Sequence, residues 1–462
     1  MFSSQTYIER RNELKNIMKS GVLFFPGNNE AAMNYRANTY PFRQDSSFLY
    51  YFGIDKPGLS AIIDVDKNSE IIFGDDRDID DIVWMGKEES ITVSAEKVGV
   101  NLTLPADKLS IFLHESLAAK KEIHFLPQYR FENILMISNL LKISPNDINK
   151  HSSEKLIRAV ISQRIIKSDE EVAEIEKALN VSYEMNTVAM KFTQPGMLEQ
   201  EIFGLVQGIV LGSSAGNSFQ PILSVRGETL HNPFHNNIMQ DGQLVVLDSG
   251  AESELHYASD ITRTFPVNGK FSDKQKAIYE TVLDAQMAAI EMIKPGVLFR
   301  DVHLHAAKQI TIGLQKAGLM KGNVEESVSA GAHALFFPHG LGHMLGLDVH
   351  DLEGLGENYI GYDETIKRSE QFGLGYLRFA KSLQPGHVIT VEPGIYFIPP
   401  LIERWQSEKK FDTFINYEEV NKYLDFGGIR IEDDVLVTNE SHRVLGKQIP
   451  KTVADVEEFC NS

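Results

Sequence analysis

The sequence predicts an α+β protein in two parts, an α/β N-terminal domain over residues 1–155 and a larger duplicated α+β domain over residues 156–462. Three observations predict it. Residues 1 to about 150 alternate short apolar runs with turn residues, as a mixed α/β unit does. Two long amphipathic helices, about a hundred positions apart, open with the same kind of capping box and close on the same Pro-Gly. Strand-like segments associated with each helix carry acidic residues.

In chain order, Val22–Phe25, Leu59–Asp64 and Ile71–Phe73 have the length and composition of strands. Phe42-Arg-Gln-Asp-Ser-Ser-Phe48 is a polar cluster between aromatics that reads as a surface loop, with a cleft wall as the alternative. Trp84, one of two tryptophans, is expected to serve packing, given its large apolar area. A boundary falls near Lys155–Lys167. Ser168-Asp-Glu-Glu171 then opens a helix whose Val172, Ile175, Leu179, Ser182, Met185 and Val188 recur at helical spacing up to Pro195-Gly196. Ser272-Asp-Lys-Gln275 opens its counterpart, which Pro295-Gly296 closes, and two α+β halves facing each other across a cleft follow from that repetition.

Acidic residues sit where apolar strands should bury them. Gln243–Asp248 is a buried-type strand ending in a carboxylate, and Asp260 opens the next, Asp260-Ile-Thr-Arg-Thr-Phe265. Val388-Ile-Thr-Val-Glu392 ends in another, and Glu432 lies inside the predicted strand over Gly427–Thr438. Such groups need a cation or hydrogen-bond donors, and Arg263 is a structural partner available to either aspartate. Four converging carboxylates exceed the negative charge a core tolerates without metal. With one histidine they suit two divalent ions about 3.5–4 Å apart. An oxygen-dominated set without thiolate favours manganese, or cobalt and iron, over structural zinc.

The histidine comes from His339-Gly-Leu-Gly-His343-Met-Leu-Gly-Leu-Asp-Val-His350, three histidines in a chain that has 14. Three interleaved glycines make a helix expensive, and Gly340 stands where helical zinc proteases need Glu. An irregular segment threading several imidazoles through one pocket is expected; alone, it also fits a glycine-rich turn with incidental histidines.

Composition excludes several classes. A formal charge of −19 argues against nucleic-acid binding, and no apolar run approaches the length of a membrane span. Cys460 is the single cysteine, so neither an intrachain disulfide nor a multi-thiolate metal site can form. The first eleven residues lack the order of a signal peptide, and a cytoplasmic location is expected.

Asp248, Asp260, His343, Glu392 and Glu432 occur in the order of the ligands of the pita-bread metallopeptidases. The phrases Phe-Pro-His-Gly-Leu-Gly-His, Val-Glu-Pro-Gly-Ile-Tyr and Gly-Ile-Arg-Ile-Glu-Asp-Asp resemble the proline-specific branch, aminopeptidase P and prolidase. The resemblance covers essentially the whole chain, since the Phe42–Phe48 region is similar to those enzymes' N-terminal domain. It implies a pita-bread fold whose Asp260 and Glu432 bridge two metal ions, with Asp248 on one and His343 and Glu392 on the other. It further implies Glu392 as proton shuttle, His339 and His231 as groups that bind substrate and stabilise the oxyanion, His350 beside the proline, and Arg430 next to the metals. His235, close to His231, is a weaker candidate. The Asp248–Asp260 connection carries one residue more than is usual, for which a lengthened hairpin is expected. A homo-dimer or homo-tetramer acting on peptides with proline at the second position completes the expectation.

Within that branch, Tyr376-Leu-Arg378-Phe-Ala-Lys381 resembles the prolidase segment whose arginine captures a dipeptide carboxylate, and the long Phe397–Phe426 connection is also prolidase-like. A surface salt bridge is the plain alternative for Arg378. The Phe42–Phe48 region and the unbroken Asp260–Lys270 resemble bacterial aminopeptidase P, and Xaa-Pro aminopeptidase is the preferred reading, prolidase second. A non-catalytic relative binding a protein partner would have lost ligands, and all five are present. Methionine aminopeptidase generally lacks the N-terminal domain.

Overall fold

The computed structural model describes residues 1–462, which divide into two compact units. Met1–Arg164 with Leu352–Tyr359 form the first, Ile165–Asp351 with Ile360–Ser462 the second.

In the first unit a five-stranded sheet runs in the order Thr103–Leu104, Ser69–Phe73, Ser60–Asp64, Val22–Pro26, Ile123–Phe125. Val22–Pro26 is antiparallel to Ser60–Asp64 and parallel to Ile123–Phe125. Val22, Phe24, Ile62, Ile71 and Phe73 pack with Leu109, Leu113 and Ile137 of the Lys108–Ala118 and Phe131–Leu141 helices. Leu23 and Ile63 point the other way and are fully buried too, which is why these strands read as unbroken apolar runs. Two expectations fail here. The Phe42–Phe48 stretch is no surface loop: Asp45 caps a helix over Ser46–Phe52, and Gln44, Ser46 and Ser47 are buried with it. Gln44 bonds the backbone N–H of Asn28 and of Asp45, so its amide is satisfied inside the fold. Trp84 does not pack either; it is 84% exposed on the Ile79–Met85 helix, which buries none of its residues.

The second unit shows the repetition directly. Ser168 Oγ accepts the Glu171 N–H at 3.3 Å while the Glu171 carboxylate accepts the Ser168 N–H at 3.0 Å, opening the Asp169–Phe192 helix. Ser272 and Gln275 make the same exchange at 3.3 and 2.9 Å before Asp273–Met292. Both helices stop three residues before their prolines, and Gly196 (φ +93°) and Gly296 (φ +87°) take the left-handed turns that release the chain into Glu199–Ser213 and Phe299–Lys316. Each half then supplies an antiparallel strand pair, Leu244–Ser249 with Ile261–Pro266 and Val388–Val391 with Asp433–Val437. In each pair the first strand leads to one acid, Asp248 or Glu392, and the second is preceded by the other, Asp260 or Glu432. Glu432 is therefore not inside a strand, as the sequence led us to expect, but at the break between Gly428–Arg430 and Asp433–Val437. There its N–H bonds Thr262 O of the other half at 3.0 Å. The Asp248–Asp260 connection is a hairpin turning at Ser253–His256, and His256 at φ +65° absorbs its tight end.

Candidate metal centre

Strand ends deliver the acids, and the irregular His339–His350 segment delivers the histidine. His343 is laid against the strand before Glu392: its N–H bonds Thr390 Oγ1 at 3.1 Å and its carbonyl accepts the Thr390 N–H at 2.9 Å. Two of the interleaved glycines are required by close approaches, Gly342 to this strand and Gly340 to the Tyr376–Leu377 backbone. A Cβ on Gly342 would lie 1.9 Å from Thr390 O, and one on Gly340 would lie 2.8 Å from Leu377 Cα. The imidazole itself is oriented by Nδ1–H donating to Met344 O at 3.1 Å, which leaves Nε2 as a lone-pair donor aimed at the acids. Nε2 lies 3.4 Å from Asp260 Oδ2 and 3.7 Å from Glu392 Oε1.

Asp260, His343 and Glu432 bring ligand atoms within 4.8 Å of one another, all three buried. Thr262 Oγ1 donates to Glu432 Oε2 at 2.7 Å and Arg430 Nη2 to Asp248 Oδ2 at 2.6 Å. The other oxygen of each, Glu432 Oε1 and Asp248 Oδ1, is buried without a protein partner, as is Asp260 Oδ1. Such atoms are costly unless something binds them. Burial first, then repulsion from Asp248 and other nearby acids, holds the Asp260 carboxyl well above the usual carboxylate range; burial and Asp260 do the same to Glu432. Burial likewise raises Glu392, against the pull of His343 and Arg430. Four carboxyl groups gathered in the interior, three orphaned oxygens and one lone-pair nitrogen match the needs of divalent cations.

Around this cluster stand the remaining candidates. His350 stacks on His343, ring centroids 3.8 Å apart and planes 15° from parallel, with its outer surface exposed. His339 lies 3.8 Å from Glu392 but is fully engaged: Nδ1–H donates to Gly340 O at 2.8 Å, and Nε2 accepts from Tyr396 Oη at 2.9 Å. Burial pushes its pKa down to about 3, with Arg430 adding to the effect. Arg430 spans the centre, donating to Thr262 Oγ1, Tyr396 Oη and Asp248. His231 is exposed; desolvation and then the Arg430 charge lower its pKa, Asp248 opposes them, and His350 and Arg378 add smaller effects. Arg378 is half-buried and within electrostatic reach of His231. Two candidates go elsewhere. His235 bonds Leu223 O at 3.0 Å and stacks on Phe203 at 3.9 Å, a packing role. Arg263 pairs with neither Asp248 nor Asp260; its guanidinium holds Asp433 at 2.7 Å and Glu432 O at 2.6 Å.

Sequence reasoning missed Tyr396, which passes a hydrogen bond from Arg430 to His339. Its place two residues after Val-Glu392-Pro-Gly394 was the available signal.

The comparisons agree with this geometry. Residues 173–439 match the model of metallopeptidase family M24, and residues 7–124 match the aminopeptidase P N-terminal domain. The chain belongs to metallopeptidase family M24 and has its pita-bread fold. The human Xaa-Pro dipeptidase is 32% identical over 98% of this chain and 91% of its own. A probable Xaa-Pro aminopeptidase of Uncinocarpus reesii is 31% identical over 95% and 90%. Among solved structures, proline aminopeptidase P II of Yersinia pestis superposes with a TM-score of 0.81 at 28% identity, covering 100% of both chains. Zn-substituted aminopeptidase P of Escherichia coli with bound product reaches 0.81 at 27% identity. No helix of the chain is long and apolar enough to cross a membrane.

Proposed function

We propose that this chain is a two-metal exopeptidase that cleaves the bond between an N-terminal residue and a following proline, as an Xaa-Pro aminopeptidase. Asp260 and Glu432 would bridge two divalent ions, most suitably manganese, with Asp248 on one and His343 and Glu392 on the other. The observation that carries this reading is the buried set Asp260, His343 and Glu432, whose ligand atoms lie within 4.8 Å of one another, in a cluster of acids that leaves three carboxylate oxygens without a protein partner. When bound, such ions acidify water and polarise a carbonyl.

The protein groups divide the remaining work. Glu392 is the most exposed of the four acids, its side chain 19% accessible, and burial raises its pKa above the usual carboxylate value. It is suited to take a proton from the attacking water and pass it to the proline nitrogen, which leaves as an amine. His339 has both nitrogens committed, so it orients Tyr396 and shapes the pocket. That leaves exposed His231 as the better-placed donor to the developing oxyanion. Arg430 fixes Asp248 and Tyr396 together, and His350 offers its outer surface to the proline side. A boundary at residues 155/156, a cytoplasmic homo-dimer or homo-tetramer, and no nucleic-acid or membrane partner belong to the same reading.

A dipeptidase is the second reading, favoured by Arg378 within electrostatic reach of His231, where a guanidinium suits a free carboxylate. Hydrolysis of Gly-Pro and of a longer Gly-Pro-Xaa peptide, both with Mn2+, separates the two. Comparable rates are expected. Cleavage of the dipeptide alone, abolished by Arg378→Ala, would replace the aminopeptidase reading with the dipeptidase one.

A further inference from the structure

Lys167 precedes the N-cap of the Asp169–Phe192 helix and grips the metal-centre scaffold twice. Its backbone N–H bonds Gly386 O at 2.8 Å, two residues before the strand that leads to Glu392. Its Nζ meets Asp351 Oδ2 at 2.7 Å, with both side chains only 1% exposed.

Asp351 in turn closes the segment that begins at His343. Its N–H bonds Met344 O at 2.9 Å, and its Oδ1 accepts the Asp348 N–H at 3.3 Å. The turn inside this closure is tight: a Cβ on Gly346 would fall 2.5 Å from Asp351 Oδ2 and 2.8 Å from Lys167 Cε. His350, the next residue back, is exposed and stacks on His343.

We infer that the buried Lys167–Asp351 pair is a positioning device for His350, holding the end of the 343–351 segment so that the imidazole stays stacked on His343 and turned toward substrate. A solvent-exposed pair could not do this, because its geometry is loosely held; here both side chains are buried, so the arrangement is strongly enforced. Small displacements of a substrate-binding group are costly to turnover. The inference rests on the substrate role proposed for His350.

The test is a cycle of Asp351→Asn, His350→Ala and the double variant, each loaded with Mn2+ and assayed on Gly-Pro, with thermal melts and Mn2+ stoichiometry recorded alongside. Asp351→Asn should melt cooperatively, bind the same metal equivalents, and lose about tenfold or more in kcat/KM, chiefly through KM. In the His350→Ala background the same substitution should change kcat/KM by less than about twofold, since the group it positions is gone. Losses that multiply in the double variant, or a folded Asp351→Asn protein with near wild-type kcat/KM, would overturn the inference. If Asp351→Asn does not fold, Lys167→Met/Asp351→Asn, which removes both charges together, is read by the same criteria. Full activity in His350→Ala would instead overturn the role of His350 itself, a separate failure.

Discussion

Glu432 and Asp433 are consecutive, both buried, and in opposite electrostatic condition. Asp433 is surrounded by donors: Arg263 Nη2 at 2.7 Å, Lys451 Nζ at 2.6 Å and Gln286 Nε2 at 3.0 Å. Burial alone would raise its pKa, but Arg263 and Lys451 more than offset it and hold the carboxyl below its usual value. Glu432 receives one hydroxyl, leaves Oε1 without a partner, faces Asp260, and is held far above the usual range by burial and that neighbour. One acid is finished by the fold, and the other is completed only by something the fold does not supply. Burial of a carboxylate alone is therefore no sign of function; at Glu432 the compensation is withheld as well, and a histidine nitrogen and a second acid lie within ligand reach.

Breaking each side of this contrast should have opposite consequences. The largest effect is expected on catalysis. Glu432→Gln removes the proposed bridging ligand and should lower kcat/KM by roughly a thousandfold or more, about 4 kcal/mol in transition-state terms, while leaving the metal-free protein as stable as the parent or more so. Steady-state assays with Mn2+ and denaturant unfolding of the metal-free protein check both halves. The reverse is expected of Asp433→Asn. It strands Arg263 and Lys451 in the interior and should cost about 3–5 kcal/mol of stability, read by the same unfolding measurement.

The pH dependence sharpens the comparison further. Asp260 and Glu432 bind protons more tightly in the folded metal-free protein than when unfolded. Their contribution is thus present at acid pH and lost as pH rises above the unfolded carboxylate range toward their raised values. Asp433 runs the other way, contributing above its unfolded pKa and losing that contribution as pH falls. Stabilisation by added Mn2+ should therefore grow between pH 5 and pH 7.5, as seen in melting temperatures with and without metal.

A smaller effect is expected from the histidines outside the centre. His303 and His333 are fully buried, with pKa values pushed down by burial to about 3 and about 4. Unfolded they would bind protons from about 6.5, so stability falls as pH drops below that value. His303→Leu should flatten this acid limb, measured as the slope of unfolding free energy against pH.

What the chain betrayed in advance is whatever is written locally. Ser168 with Glu171, and Ser272 with Gln275, are three residues apart, and their helices were legible to within a few residues. The acids were legible because an apolar run ending in Asp248 or Glu392 is conspicuous on its own. The Arg430–Tyr396–His339 chain was not, because it joins residues 34 and 57 positions apart and depends on where two strands meet. Trp84 misled because aromatic area argues for burial only on average, and a helix with no buried face gives it nowhere to go. Gln44 misled because its amide is satisfied by backbone brought from Asn28.

The most direct test is calorimetric titration of metal-free protein with Mn2+ near neutral pH, wild type beside Glu432→Gln and Asp433→Asn, with each variant's melting temperature followed. Two equivalents bound by wild type, with a rise in melting temperature that Glu432→Gln loses and any folded Asp433→Asn keeps, are predicted. Fewer than two equivalents, or binding that survives Glu432→Gln unchanged, would contradict the assignment of these orphaned carboxylates to a pair of metal ions.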